Sequence, residues 1–299
     1  MNSISGSEVY LKLENLQKTG SFKVRGAFNK ISQLSDAECA KGIIAASAGN
    51  HAQGVALACN EKGIPVTIFM PETTPHAKVM ATRQYGADVQ LMGTNFDEAF
   101  AASKKHQMLT GATFIHPFDD LAIIEGQATV AMEMLQQCPN LDTIIVPTGG
   151  GGLLAGTALA VKLIRPSVRV IGVQAQVTSP IASIFRDTNY VSNSFSSTMA
   201  EGINVKVPGK LTTKIIQAYV DDVITVTEEE IASSILFMLE REKMLVEGAG
   251  AAAVAVALHQ HIPLTSSQTG IIVSGGNYDI GKLAECRKTA TSIMAASSF

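Results

Sequence analysis

The sequence predicts an α/β fold made of two open, twisted, mostly parallel sheets flanked by helices. Three observations carry that expectation. Apolar β-rich runs alternate with small-residue stretches of helical pattern through most of the chain, which is how parallel strands joined by crossover helices read. A length of 299 residues is a prior for about two domains. Glycine-rich turns follow the apolar runs at Thr148-Gly149-Gly150-Gly151-Gly152 and at Ser274-Gly275-Gly276, the places where such sheets present ligand contacts.

Along the chain, strands are predicted at 42–46, 65–70, 88–91 and 113–116, separated by helices at 50–62, 76–85 and 96–109. That is enough for a small sheet domain over 42–119. The same order then recurs at larger scale: helix 126–137, strand 143–147, a glycine-rich loop, helix 153–164 and strand 168–174. Strand 222–226, helices 228–241 and 247–259, strand 270–274 and helix 279–288 complete a large domain made of 1–41 plus 120–299. No period of 20 to 50 residues repeats. The one long irregular stretch, 191–209, rich in Ser, Asn, Gly and Val, is the candidate mobile element. Two packed sheet domains leave a cleft, where small ligands tend to bind.

Composition narrows the partners. With 23 basic and 26 acidic residues, a net charge of −3 and no Lys/Arg cluster longer than a pair, there is no electrostatic footprint for nucleic acid. The longest apolar stretch, 248–258, is far short of the roughly 20 residues that cross a bilayer, and Met1-Asn2-Ser3-Ile4 lacks the regions of a secretion signal. The chain is therefore expected to be cytoplasmic. Cys39, Cys59, Cys138 and Cys286 are scattered without a C-x-x-C pair, which predicts four buried thiols and neither disulfides nor a metal site.

Four consecutive glycines between a strand and a helix remove every Cβ, so backbone amides can converge on an anion at the positive helix end. A phosphate cradle is the natural reading of Gly149, Gly150, Gly151, Gly152 and Leu153. Gly150, Gly152 and Ala155 also satisfy G-x-G-x-x-A formally, which leaves a dinucleotide open, although Gln174 stands where a ribose-binding acid belongs. No Gly-Lys-Ser or Gly-Lys-Thr follows a glycine-rich turn, so nucleotide hydrolysis is not supported. Lys23, beside Phe22 at the start of a helical pattern, is either a desolvated nucleophile or an ordinary solvated lysine. Ser47-Ala48-Gly49-Asn50-His51 opens a helix after a strand, which suits a carboxylate or plain capping by Ser47 or Asn50. Ser274 ends a strand at the sheet's carboxyl edge, as a ligand contact or a turn.

In order along the chain, G-S-F-K-V-R-G-A, S-A-G-N-H-A-Q-G, H-P-F-D-D, T-G-G-G-G-L-L-A-G, E-G-A-G-A and S-G-G-N together resemble the fold-type II pyridoxal-phosphate enzymes. The likeness is nearest to the threonine dehydratase (threonine/serine ammonia-lyase) branch, catabolic type. It implies pyridoxal 5'-phosphate as cofactor, with Lys23 holding it as a Schiff base, Phe22 beside the ring and Asn50 on the 3'-oxygen. It likewise implies that Gly149, Gly150, Gly151, Gly152 and the Leu153 amide hold the phosphate, while Ser274 faces the ring nitrogen. A neutral hydroxyl there tempers the ring as an electron sink. The amides around Ser47, Ala48, Gly49, Asn50 and His51 are expected to hold the carboxylate of a small amino-acid substrate, and the Phe118 ring to shape the side-chain pocket.

The resemblance further implies β-elimination of L-threonine to 2-oxobutanoate and ammonia, with L-serine as a side substrate, in a homodimer or homotetramer. The alternatives are a serine or amino-acid racemase on the same cofactor, or a catalytically weak relative that binds it. Serine racemases carry a second serine where this chain has Ala48, so racemisation is expected to be weak. Cysteine-synthase-like S-V-K-D-R and S-S-G-N-T patterns are absent. Metal-stimulated relatives place an acid at the position of Gln174, so no divalent cation site is expected there. Members usually carry about one more helix and strand before the lysine segment than this chain, which reaches Val9-Tyr10-Leu11 almost at once, and no isoleucine-sensing module is expected after S-G-G-N.

Overall fold

A computed structural model describes residues 8–188, 198–263 and 268–296, so residues 191–197 of the irregular stretch lie outside the described residues. Among the described residues nine strands form two sheets. The larger runs β1 (Glu8–Leu13), β9 (Gln268–Val273), β6 (Thr143–Pro147), β7 (Arg169–Ala175) and β8 (Asp222–Val226) in spatial order. The smaller runs β4 (Asp88–Leu91), β3 (Val66–Met70), β2 (Ile43–Ala46) and β5 (Thr113–Phe114). Every strand pairing is parallel.

Parallel strands covered on both faces should be apolar without alternation, and β2 and β6 are buried at every residue. The covering helices follow in chain order: α1 (Lys23–Ser32), α2 (Asp36–Ala40), α3 (Asn50–Glu61), α4 (His76–Gln84), α5 (Phe96–Thr110) and α6 (Leu121–Gln137). Then come α7 (Gly152–Ile164), α8 (Pro180–Phe185), α9 (Lys210–Tyr219), α10 (Glu228–Glu240), α11 (Gly248–Leu258) and α12 (Leu283–Ala296). Almost entirely Gly, Ala and Val, α11 is buried on all sides as the central helix of the large-sheet core.

Several boundaries differ from the sequence reading, each for a local reason. Helix α6 begins at Leu121 and not at 126, because the Asp120 side chain accepts from the Ile123 amide and caps it. The strand expected over 113–116 pairs only through Phe114, since His116 Nδ1 accepts from the amides of Phe118 (3.3 Å) and Asp119 (2.7 Å) and bends the chain. A 3-10 turn at Ile280–Lys282 precedes α12, which runs well past 288. Strand β1 and helices α2, α8 and α9 were not anticipated; α2 is held by a reciprocal Ser35–Glu38 capping box. All four cysteines are free, but only Cys59 and Cys286 are buried. Cys39 sits on the short surface helix α2 and Cys138 at the frayed end of α6, so the expectation of four buried thiols fails for those two.

Helix α1 is wedged between α3 and α6. A Cβ at Gly126 would lie 2.6 Å from the Gly26 Cα, so these two backbones approach as only glycine permits. On the same helix Arg25 is bonded bidentately to Glu14 (2.8 Å to each oxygen) and to Glu133 (2.7 and 2.8 Å), and Lys12 adds a 2.6 Å bond to Glu133. Hydrogen bonding from Arg25 pulls the Glu133 carboxyl down to about 2. Glu14 is 2% exposed, so truncating Arg25 leaves an unpaired buried carboxylate. Arg25→Ala is expected to cost about 3–5 kcal/mol of unfolding free energy in urea titrations. A loss below ~1 kcal/mol would place this network among ordinary surface pairs.

Candidate active site

Lys23 is the first residue of α1, and the segment before it is tied to the large sheet by a 3.1 Å bond from the Phe22 amide to the Ser274 carbonyl, just past the end of β9. The lysine amine donates to the Pro117 carbonyl at 2.7 Å and lies 5.3 Å from the centre of the Phe22 ring. Burial lowers its pKa to about 8, against the opposing pull of Glu247. It is thus the desolvated lysine of the two readings.

Opposite stands the glycine loop, between β6 and α7. Gly151 has a φ of +95° and caps α7 without a side chain. A Cβ at Gly150 would sit 2.3 Å from the Phe118 ring, so glycine is required there for the aromatic to pack on the loop. Among the described residues, the amides of Gly149, Gly150 and Gly151 donate to no backbone oxygen. Together with the first amides of α7 they form an anion cradle at a helix N-terminus.

The third part lies at the end of β2. The Ser47 hydroxyl accepts from the Gly49 amide (3.2 Å), and Gly49 caps α3 with no side-chain bond, so neither Ser47 nor Asn50 is a plain N-cap. Instead the Asn50 amide donates to Glu247 Oε1 (2.7 Å), while its carbonyl oxygen accepts from Asn277 Nδ2 (2.7 Å). His51 bonds the Ile115 carbonyl through Nε2 (3.0 Å); a carbonyl only accepts, so Nε2 carries the proton. Burial first, then the nearby Lys23 charge, drives the His51 pKa down to about 3 and keeps the ring neutral.

A chain of contacts links these parts: Lys23 bonds Pro117 next to Phe118, Phe118 packs on Gly150 and Gly152, Phe22 bonds Ser274, and Asn50 lies against Gly275, with Ser47, Ala48, Gly49 and His51 on the adjoining turn and Gly149, Gly151 and Leu153 on the cradle. Ser274 is 3% exposed. Gln174 is fully engaged, donating to the Thr148 carbonyl (3.2 Å) and accepting from the Ala182 amide (2.9 Å). Sequence reasoning gave no role to Glu247, Asn277, Pro117 or Asp119, although E-G-A-G-A contains the first, S-G-G-N the second and H-P-F-D-D the last two. Glu247 stands out, because burial raises its carboxyl to about 7 against the Asn50 hydrogen bond that holds it down.

Comparison with known proteins gives the same class. Residues 1–275 match the family described as pyridoxal-phosphate dependent enzyme. The chain belongs to that family, and pyridoxal phosphate is its cofactor. Among individual relatives, the L-threonine ammonia-lyase of Thermotoga maritima is 48% identical over 95% of this chain and 70% of its own length. The catabolic L-threonine dehydratase of Escherichia coli is 44% identical over 93% of this chain and 85% of its own. Among solved structures, threonine deaminase isoform 2 of Solanum lycopersicum superposes with a TM-score of 0.93 at 36% identity, over 97% of this chain and 81% of its own. Maize serine racemase does so at 0.90 and 36%, over 98% and 91%.

The residues present fit the cofactor. Free amides around a Cβ-free turn suit its phosphate, a buried amine of lowered pKa suits its aldehyde, and a buried hydroxyl at Ser274 suits a ring nitrogen left unprotonated.

Glu247 yields a pH prediction. Its folded pKa is raised above the ordinary 4.5 to about 7, so its contribution to stability is complete below pH 4.5 and is lost as pH rises toward 7. Glu247→Gln removes this titration. Unfolding free energy should therefore fall less steeply in the variant than in the parent between pH 4.5 and about 7; identical slopes would mean that Glu247 titrates normally.

Proposed function

We propose that this chain is a lyase that converts L-threonine to 2-oxobutanoate and ammonia by pyridoxal-phosphate-dependent β-elimination, with L-serine giving pyruvate as a side reaction. The observation that carries the reading is the desolvated Lys23 amine bonded to Pro117, whose neighbour Phe118 packs on the glycine cradle, in a chain 44–48% identical to L-threonine ammonia-lyases and dehydratases. We further assign residues 42–119 to a small domain and 1–41 plus 120–299 to a large one, with the site at their junction. By its likeness to these enzymes we also assign a homodimer or homotetramer. Among the described residues no helix is long and apolar enough to cross a membrane, which fits a cytoplasmic enzyme.

When bound, the cofactor supplies the sink for the electrons of the substrate Cα–H bond. The chain's own residues do the rest. Lys23 would hold the cofactor through its amine and, once free and neutral, would take the α-proton of the substrate. Amides of Gly149 to Leu153 hold the phosphate. Asn50, clamped between Glu247 and Asn277, is held ready for the cofactor's 3'-oxygen, and Phe22 lies beside the ring. Ser274, neutral and buried, faces the ring nitrogen. The turn of Ser47, Ala48, Gly49, Asn50 and His51 binds the substrate carboxylate, and neutral His51 adds no charge of its own. Phe118 closes the pocket on the side-chain end. Threonine and serine differ by one methyl, worth ~1–3 kcal/mol, so both should turn over.

The likeness to maize serine racemase favours racemisation as a second reading, and Ala48 opposes it, because it has no hydroxyl to deliver a proton to the opposite face. Purified protein supplied with L-threonine or L-serine should accumulate 2-oxo acid and ammonia in equal amounts, with little D-serine by chiral chromatography. Lys23→Ala should lower the elimination rate by at least ~10²-fold. D-serine formed faster than pyruvate would select the racemase, and unchanged turnover in the variant would remove Lys23 from the chemistry.

A further inference from the structure

The bend after β5 touches three parts of the site at once. Its Pro117 carbonyl receives the Lys23 amine, its Phe118 ring fills the space beside Gly150 and Gly152, and its Asp119 reaches a helix about ninety residues later in the chain. We propose that Asp119 is a positioning residue for the phosphate-binding peptide, acting through α9 and Thr212. This rests on the cofactor reading above.

The first turn of α9 has no cap of its own, since Gly209 precedes it. Asp119 supplies one from outside: Oδ2 accepts from the Lys210 amide (3.0 Å), and Oδ1 from the amides of Leu211 (2.9 Å) and Thr212 (3.1 Å). A carboxylate at the positive end of a helix satisfies three donors that would otherwise lack partners. Helix α9 so docked presents Thr212 Oγ1 to the Gly150 carbonyl at 2.7 Å, and the Gly209 amide reaches the same oxygen at 3.3 Å.

Two donors on one carbonyl fix the plane of the peptide that joins Gly150 to Gly151. In a trans peptide the N–H points away from the C=O. With the Gly150 oxygen turned toward α9, the Gly151 amide is turned to the other side, toward the cradle. The Phe118 ring, on the same bend, blocks the movement of Gly150 that would release this orientation. Both Asp119 oxygens are turned to three amides at a helix N-terminus, where a carboxylate is favoured.

A purely structural cap would stabilise α9 without regard to phosphate, and the test separates the two roles. Cofactor-stripped parent protein, Asp119→Ala, Thr212→Val and Thr212→Ser would be titrated with pyridoxal phosphate and, separately, with pyridoxal, which lacks the phosphate, following the visible absorbance band. Asp119→Ala and Thr212→Val should weaken pyridoxal phosphate binding by about tenfold, the size of a lost cap or buried hydrogen bond. Pyridoxal binding should change by less than about twofold, because the phosphate site is not used. Thr212→Ser, which keeps the hydroxyl, should restore the parent affinity. Thr212→Val leaves the Asp119 cap in place and decides the matter if Asp119→Ala does not fold. Unchanged affinity for pyridoxal phosphate, or equal loss for both ligands, would overturn the proposal. Failure of the parent itself to bind pyridoxal phosphate would refute the cofactor reading and the proposal with it.

Discussion

An amine carried into a protein interior must find an acceptor or give up its proton, and both provisions are made at Lys23. Among the described residues its hydrogen bond goes to a neutral carbonyl, that of Pro117, and burial draws its pKa toward neutrality. The rest of the site serves that one residue. Helix α1 cannot shift without breaking the glycine contact to α6 or the Arg25 network, and the chain before it is tied to the end of β9. A lysine on a mobile loop would stay solvated and cationic.

Electrostatics around the amine are arranged to keep formal charge low. His51 is neutral, and Glu247 titrates near 7 and answers to Asn50. The positive counterpart is built from backbone dipoles at the start of α7, which bring no side-chain entropy and no competing proton. In the proposed reading the amides would receive the anionic group of the cofactor and the amine its aldehyde. Both receptors belong to the large sheet, the amine through the tie of Phe22 to the end of β9 and the amides through the loop after β6.

Much of this was legible in the sequence. Fold class, both sheets' inner strands and the glycine loop follow from local composition, because fully buried parallel strands and a Cβ-free turn leave unmistakable runs such as Ile43-Ile44-Ala45-Ala46 and Gly149 to Gly152. Lys23 needed the ordered set of motifs, since its own surroundings favour a solvated helix start. Strand β1 was missed because its residues are only partly buried at the sheet edge, and α9 because its cap, Asp119, comes from elsewhere in the chain. The same applies to Glu247: the sequence makes it the first residue of a helix over 247–259, and only the fold puts it against Asn50.

The central claim is that Lys23, and no other lysine, is the covalent attachment point. Borohydride reduction of the pyridoxal-phosphate-loaded protein, followed by proteolysis and mass spectrometry, tests it most directly. The account predicts a single cofactor-modified peptide that carries the added mass on Lys23. Modification of other lysines with Lys23 unlabelled would contradict it.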